Sequence, residues 1–365
     1  MRNNLRGIAV CLTILILILM LFVSCNTNST PSIPSSLSLF VPQRADLIAK
    51  IDIQQIVNDG DFNYLCQQWT SEVADNPQTL NQMLDTMYLE TGIDPRDFNE
   101  AVVYTNTLEL ANFAGASRSP GVPYFGALAM GTFSEENLIG SVELKSHTKF
   151  DTYMYKGSKV YTYTEDQVAL LGITCVDDQL IIIGSVIAVE DTIDVMVGDK
   201  QPINGAVYDL YETLGDVVIK MASTVPSVIT SQLPTRTDIE GEDVNLQSLG
   251  NVTMVGLTFD KIDSTTITEV QLHCGLSTSA QEIDQLVDSL IILWKQEVPN
   301  AQIENELDKL TTTASGSVFS LRITETIADI VSIIQSLATP APAPAPIPRP
   351  APAPAPTPRP APSDS

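Results

Sequence analysis

The chain has 365 residues, 44 acidic against 19 basic, a formal net charge of −25 and only two histidines. A surface this negative is repelled by phosphate backbones and by anionic head groups, which excludes nucleic acid as a partner and argues against a body lying flat on acidic lipid. Apolar residues make up 44% of the chain, enough to build real cores.

The amino terminus, Met1-Arg2-Asn3-Asn4-Leu5-Arg6, is short and positive, and an almost unbroken apolar run extends from Ile8 to Val23. A basic start followed by an apolar stretch is the pattern of an export signal. The run falls short of the ~20 residues that comfortably span a bilayer. It stops at Leu21-Phe22-Val23-Ser24-Cys25, ahead of polar Asn26 to Thr30. This stop resembles the lipobox of bacterial lipoproteins, in which aliphatic residues and a small residue precede a cysteine; Phe22 stands where leucine is usual. The resemblance implies diacylglycerol transfer to the Cys25 thiol and cleavage between Ser24 and Cys25. It also implies an extracytoplasmic body, lipid-anchored to a bacterial membrane and facing the cell surface or periplasm. Asn26 lacks the aspartate that, by the same resemblance, retains lipoproteins at an inner membrane. An uncleaved signal anchor is the alternative, and it places the body on the same side.

Residues 26–38, rich in Ser, Thr, Asn and Pro, make a flexible spacer. Alternation of Leu47, Ala49, Ile51 and Ile53 with more polar neighbours predicts a strand. Phe62, Leu65, Trp69 and Val73 mark one helix face, and Asn76-Pro77 starts a second helix carrying Leu80, Met83, Leu84 and Met87. In Thr91-Gly92-Ile93-Asp94-Pro95-Arg96-Asp97, Gly92 suits a left-handed helix stop, Asp94 a cap, Pro95 the first helical position and Asp97 the third. This reads as punctuation rather than as a catalytic aspartate. Strands follow at 101–106 and 124–133, then a tyrosine-rich hairpin turning at Lys156-Gly157 and a second turning at Asp177-Asp178. Ser185 caps a helix that Gly198 ends. The second half continues with a helix at 207–214, a strand at 217–222, an irregular stretch at 225–250, and strands at 252–260 and 265–274. A long helix through Ile283 and Trp294, a shorter one through Ile303, Leu307 and Leu310, a strand at 317–323 and a helix at 325–337 close the body.

Strand runs mixed with helices, hairpins outnumbering crossovers, predict an α+β fold of two related or adjacent units with mainly antiparallel sheets and packed helices. The expected organisation is a signal helix at 1–24, a tether at 25–40, units at 41–198 and 199–338, and a tail at 339–365. The stretch from Asp177 through Gly184-Ser185 to Ile193-Asp194-Val195 is similar to a family of extracytoplasmic bacterial proteins of unknown function. So are Pro42 through Asp46 to Asp52 and the strand-strand-helix of 252–298. That resemblance brings no activity with it. In the tail, 341–350 and 351–360 read APAPAPIPRP and APAPAPTPRP. Proline at every second position forbids helix and ladder and leaves a disordered but extended polyproline II segment. It reads first as a spacer, and second as an arm contacting the cell wall or another envelope protein.

Few chemistries find their residues. His147 and His273 with no paired cysteines exclude the usual zinc sites, and no cofactor is implied. Asp59-Gly60-Asp61-Phe62-Asn63 begins like a calcium loop but has Tyr64 and Thr70 where glycine and glutamate belong, so a helix-capping turn is expected. Ser146-His147-Thr148-Lys149 matches a Ser-x-x-Lys spacing without its Lys-Thr-Gly partner, and Gly115-Ala116-Ser117-Arg118-Ser119 lacks the closing glycine of a nucleophile elbow. Glu135, Glu136, Glu165, Asp166, Glu190 and Asp191 supply carboxylates that could pair as in a glycosidase. Trp69 and Trp294 are expected in the core. With Cys25 lipidated, Cys66, Cys175 and Cys274 are expected as buried, unpaired thiols. The reading is a non-catalytic, membrane-anchored binding or structural module. The alternatives are a transporter's solute-binding protein, then a cell-envelope hydrolase.

Overall fold

Side-chain caps and left-handed turns cut this chain into short elements, and the structure, a computed structural model, describes residues 36–73, 79–91, 93–114, 122–146, 149–165, 168–239, 242–297 and 301–338. Ser24 and Cys25, the signal segment and the tail lie outside the described residues, as do Asn76-Pro77, Gly92, Gly115 to Ser119, His147 and Asp166. After a 3-10 turn at Leu37–Phe40 come β1 (Leu47–Asp52), α1 (Ile53–Asn58), α2 (Gly60–Val73), α3 (Leu80–Thr91), a 3-10 turn at Pro95–Asp97 and β2 (Phe98–Thr105). The first half continues with α4 (Thr107–Ala114), β3 (Phe125–Gly131), α5 (Glu135–Ser146), β4 (Asp151–Tyr155), β5 (Ser158–Glu165), β6 (Val168–Val176), β7 (Leu180–Gly184) and α6 (Val186–Met196). The second half has α7 (Ala206–Thr213), β8 (Ile219–Thr224), α8 (Ser227–Thr230), β9 (Arg236–Ile239), β10 (Glu242–Asn245), β11 (Val252–Ile262) and β12 (Thr265–Cys274). It ends with α9 (Ser277–Glu297), α10 (Ala301–Asp308), β13 (Thr311–Ser315), β14 (Val318–Thr326) and α11 (Ile327–Ala338).

Local chemistry explains many of the boundaries. Asp59 accepts the Asp61 amide at 2.8 Å and ion-pairs with Lys261 at 2.6 Å, so the calcium look-alike is a helix cap. The Thr79 amide donates to the Gln82 side chain at 2.8 Å while the Thr79 hydroxyl accepts the Gln82 amide at 3.2 Å, a reciprocal capping box that starts α3 three residues after the expected Asn76-Pro77. Lys156, Gly157 and Asp177 take positive φ in the two expected hairpin turns, and Gly198 takes φ +82° behind α6. Ser185 sits at the N-cap of α6 without a side-chain cap bond; its hydroxyl faces the Phe125 carbonyl at 3.4 Å.

The strands form one 12-stranded sheet in the order β13-β14-β12-β11-β8-β1-β2-β3-β7-β6-β5-β4, and β9 and β10 pair separately. Each strand pairing is antiparallel. The chain is an α+β protein built on a large antiparallel sheet with packed helices. Strands from 41–198 and from 199–338 share that sheet: β8 pairs with β1, and the 198/199 boundary falls in the turn after α6.

One face carries Ile48, Val102, Tyr104, Leu128 and Ile182 under α6, α7 and the Leu37–Phe40 turn. The other carries Ile51, Ala101, Ala129, Ile173 and Ile181 with Leu138 and Ile139 of α5. A third core joins α9 to β11, β12, β13 and β14 through Ala280, Ile283, Leu272 and Phe319. Gly126, Gly184 and Gly172 stand side by side across β3, β7 and β6, beside Tyr104 of β2. Of the three, Gly126 is the one that leaves room for the Tyr104 ring, whose hydroxyl donates to the Ala188 carbonyl of α6 at 3.0 Å. A Cβ at Gly126 would lie 2.2 Å from the ring.

Four expectations are corrected. The tether expected to run to residue 40 ends sooner, because Leu37 and Ser38 of the Leu37–Phe40 turn are buried and Leu37 belongs to the core. Trp294 is 57% exposed: the α9 residues that enter the third core end at Val287, two turns earlier on the apolar stripe. The irregular stretch at 225–250 holds α8, the β9–β10 hairpin and a 3-10 turn at Gln247–Asn251. Of the three thiols, Cys274 is buried, whereas Cys66 and Cys175 are only half-buried; burial raises all three, Cys175 to about 12 with help from Glu135 and Asp178.

Candidate functional site: two clefts flanking one helix

Helix α5 stands between two clefts that meet at Ser134, just before its first turn. The first, about 420 Å³, lies between α3, the Pro95–Asp97 turn and α5. It backs onto the core: Phe98 and Leu138 behind it are buried, and half-buried Phe133, its ring centroid 5.7 Å from that of Phe98, lines it beside Ile93. Its walls are polar, with Tyr88, Asp94, Asp97, Ser134, Asn137 and Ser141.

The two aspartates of this cleft do different things. Asp94 caps its turn, accepting the Arg96 amide at 3.0 Å and the Arg96 Nε at 2.9 Å, while Asp85 of α3 holds the other side of the same guanidinium. Asp97 is half-buried, and among the described residues no hydrogen bond or ion pair ties down its carboxylate. Burial raises its pKa above the usual carboxylate value, the Asp94 charge adds to that, and Arg96 only partly offsets it. A partly dehydrated anion with no ion-pair partner of its own among the described residues therefore lines the cleft beside half-buried Phe133. The sequence placed Asp97 correctly in its turn, but its position in a cleft depends on α5 folding back across the turn, which no local pattern reports.

The second cleft, about 680 Å³, is lined by Glu135, Glu136, Glu143, Asp178, Lys159 and Tyr161, among others. Most of its charge is already used. The Tyr161 hydroxyl donates to Glu135, Lys159 lies 3.6 Å from Glu135 and 4.4 Å from the Tyr161 ring, and Glu143 accepts the Phe150 amide at 2.9 Å. Glu190 and Asp191 are not in either cleft; they belong to a clasp between α6 and the β4–β5 hairpin. There Tyr153 donates to Glu190 at 2.8 Å, Tyr155 to Asp194 at 3.0 Å, and Lys200 contacts Asp191 at 2.5 Å and Asp194 at 2.9 Å. Ser146 ends α5 and Lys149 follows it outside any helix, so the two do not share a helical turn.

No protein-family model matches the chain, and no curated protein sequence matches it. Three crystal forms of the protein TP0453 (I, III and IV) show some likeness, at TM-scores of 0.43, 0.45 and 0.41 and identities of 10, 9 and 10%. They cover 83, 84 and 80% of this chain and 98, 99 and 96% of their own. No helix among the described residues is long and apolar enough to cross a membrane.

Proposed function

We propose that this chain is a membrane-anchored extracytoplasmic lipoprotein whose body is a non-catalytic binding module, with the Asp97 cleft as its binding site. The observation that carries this reading is the half-buried Asp97 carboxylate, which has no ion-pair partner of its own among the described residues and lines the cleft beside Phe133. The cleft falls within the ~300–1,000 Å³ usual for ligand sites. A cation would pair with Asp97, and an apolar stem beside it would lie against Phe133. Asp94, the other carboxylate, is committed to Arg96, so the cleft offers a recognition group rather than an acid–base pair. The anchor rests on Leu21 to Cys25, since acyl chains contribute ~0.8 kcal/mol per buried CH₂.

Thermal unfolding of the mature chain against a panel of amines and guanidinium compounds tests the site. A ligand present at about a hundred times its Kd stabilises by about 2.7 kcal/mol. The shift should vanish in Asp97→Asn. A panel that moves nothing, or a shift that survives the substitution, overturns the reading. The anchor is tested by Cys25→Ser, which should lose metabolic fatty-acid label and leave the membrane fraction. A variant still cleaved and still membrane-bound refutes lipidation.

A further inference from the structure

We propose that the occupant of the Asp97 cleft is the chain's own Pro/Ala-rich tail, docked through Arg349 or Arg359 with a flanking proline against Phe133. This rests on the reading of that cleft as a binding site, and it names the partner.

Charge is the first support. From Pro340 to Pro362 the only charged side chains are Arg349 and Arg359, each flanked by prolines. Each ten-residue unit thus presents one guanidinium on an uncharged stem, a charge complement for the Asp97 carboxylate. Segments held in polyproline II form dock in aromatic-lined grooves because their ordering entropy is largely spent beforehand.

Hydrogen-bonding capacity is the second. Proline has no N–H, so the tail keeps all its carbonyl acceptors while losing half its backbone donors. The cleft wall is rich in donors: the Tyr88, Ser134 and Ser141 hydroxyls and the Asn137 amide. The second cleft is a poorer match, because Glu135 and Glu143 are already bonded and Lys159 stands at its edge.

Reach is the third. The tail leaves from the end of α11, which packs on α2; α2 packs on α3, and α3 faces α5 across the cleft. At roughly 8–10 Å per helix–helix spacing, the crossing is roughly 25 Å. At ~3.1 Å per residue the tail spans roughly 34 Å from Ala338 to Arg349 and roughly 65 Å to Arg359. On that count the chain beyond Ala338 is long enough to bring either arginine to the cleft of the same molecule. Attachment raises their effective concentration there, so weak contacts suffice, and an outside cation must displace the tail.

The test uses the full chain in its membrane. Ile347 in one sample and Thr357 in a second are replaced by photoreactive p-benzoylphenylalanine, the samples are irradiated, and cross-linked peptides are mapped by mass spectrometry. A monomer-sized product joining the tail to α3 or to residues 133–141 is expected. Asp97→Asn should reduce it at least tenfold. The combination Arg349→Gln with Arg359→Gln, which leaves the body untouched, should do the same, whereas Glu136→Gln in the neighbouring cleft should leave it unchanged. Cross-links elsewhere on the body, a dimer-sized product, or a product indifferent to these substitutions overturns the proposal. If the amine panel shifts the melting temperature through Asp97 but no such cross-link forms, the cleft is a site for an outside ligand. If neither appears, the binding-site reading itself has failed.

Discussion

Glu325 should make this protein less stable as the pH rises through neutrality, against the usual behaviour of paired carboxylates. It lies at the end of β14, 6% exposed, with Oε2 2.8 Å from Lys309. Lys309 is shared with Glu306 at 2.8 Å and with Asp329 of α11 at 3.0 Å, and Glu325 Oε1 is buried without a hydrogen-bond partner. Burial, then the Glu306 carboxylate, push the Glu325 pKa up to about 7 from an ordinary 4.5, against the opposing pull of Lys309. Between those values the folded state holds a proton that the unfolded state has released. Stability from this group is therefore complete in acid and lost as pH climbs through about 7. At ~1.36 kcal/mol per tenfold change in proton affinity, the whole swing is roughly 3 kcal/mol. Glu325→Gln stays neutral, and Lys309 keeps two carboxylate partners. Urea unfolding of both proteins at about pH 5 and about pH 8 reads the difference. The variant should match wild type in acid and exceed it by roughly 1–3 kcal/mol at the higher pH, the lost pair with Lys309 setting the discount. Half-buried His273, whose pKa burial lowers, titrates in both proteins and cancels. A wild-type-to-variant difference that stays constant with pH, or that favours wild type more at pH 8, refutes the reasoning.

Asp194→Asn should cost roughly 3 kcal/mol in denaturant unfolding, because a side chain only 5% exposed loses its charge beneath Lys156, Lys200 and Tyr155. Burial pushes the Asp194 pKa up, but the two lysines and the tyrosine hydroxyl more than offset it and hold it below the usual range, so wild type loses this contribution as pH falls through the carboxylate range and the variant does not. Gly126→Ala should cost about 3 kcal/mol or prevent folding, since the new methyl would stand 2.2 Å from the fully buried Tyr104 ring. Gly140→Ala on α5, where a Cβ meets nothing within 4 Å, should instead raise the melting point by the equivalent of ~0.5–1 kcal/mol.

Turn chemistry was the most legible part of the fold. Asp94 with Pro95, Asp59, Gly198 and the turns at Lys156-Gly157 and Asp177-Asp178 do in the structure what their residue types suggest, because each acts within a few bonds of itself. Less legible were elements whose partners are distant. Threonine-rich β13 shows no strong apolar alternation and becomes a strand because β14 pairs with it and α9 covers it. Trp294 sits on a correctly read stripe, yet it is exposed, and the α9 residues that enter the third core end at Val287. The candidate site suffered the same limit: Asp97 was readable as a turn residue, and its open carboxylate emerges only when α3 and α5 close on either side.

From the sequence alone come the expected mounting of this molecule, with Cys25 at one end and the proline repeats at the other, and the positions of its capped turns. Those signals are local: a cleavage motif, a proline ring or a capping carboxylate works through its immediate neighbours. Tertiary structure decided that strands from both halves share one sheet through β1 and β8, and that Asp97 lines a cleft between α3 and α5. Pairing and burial at that range depend on which surfaces meet, and residues far apart in the chain carry that information jointly.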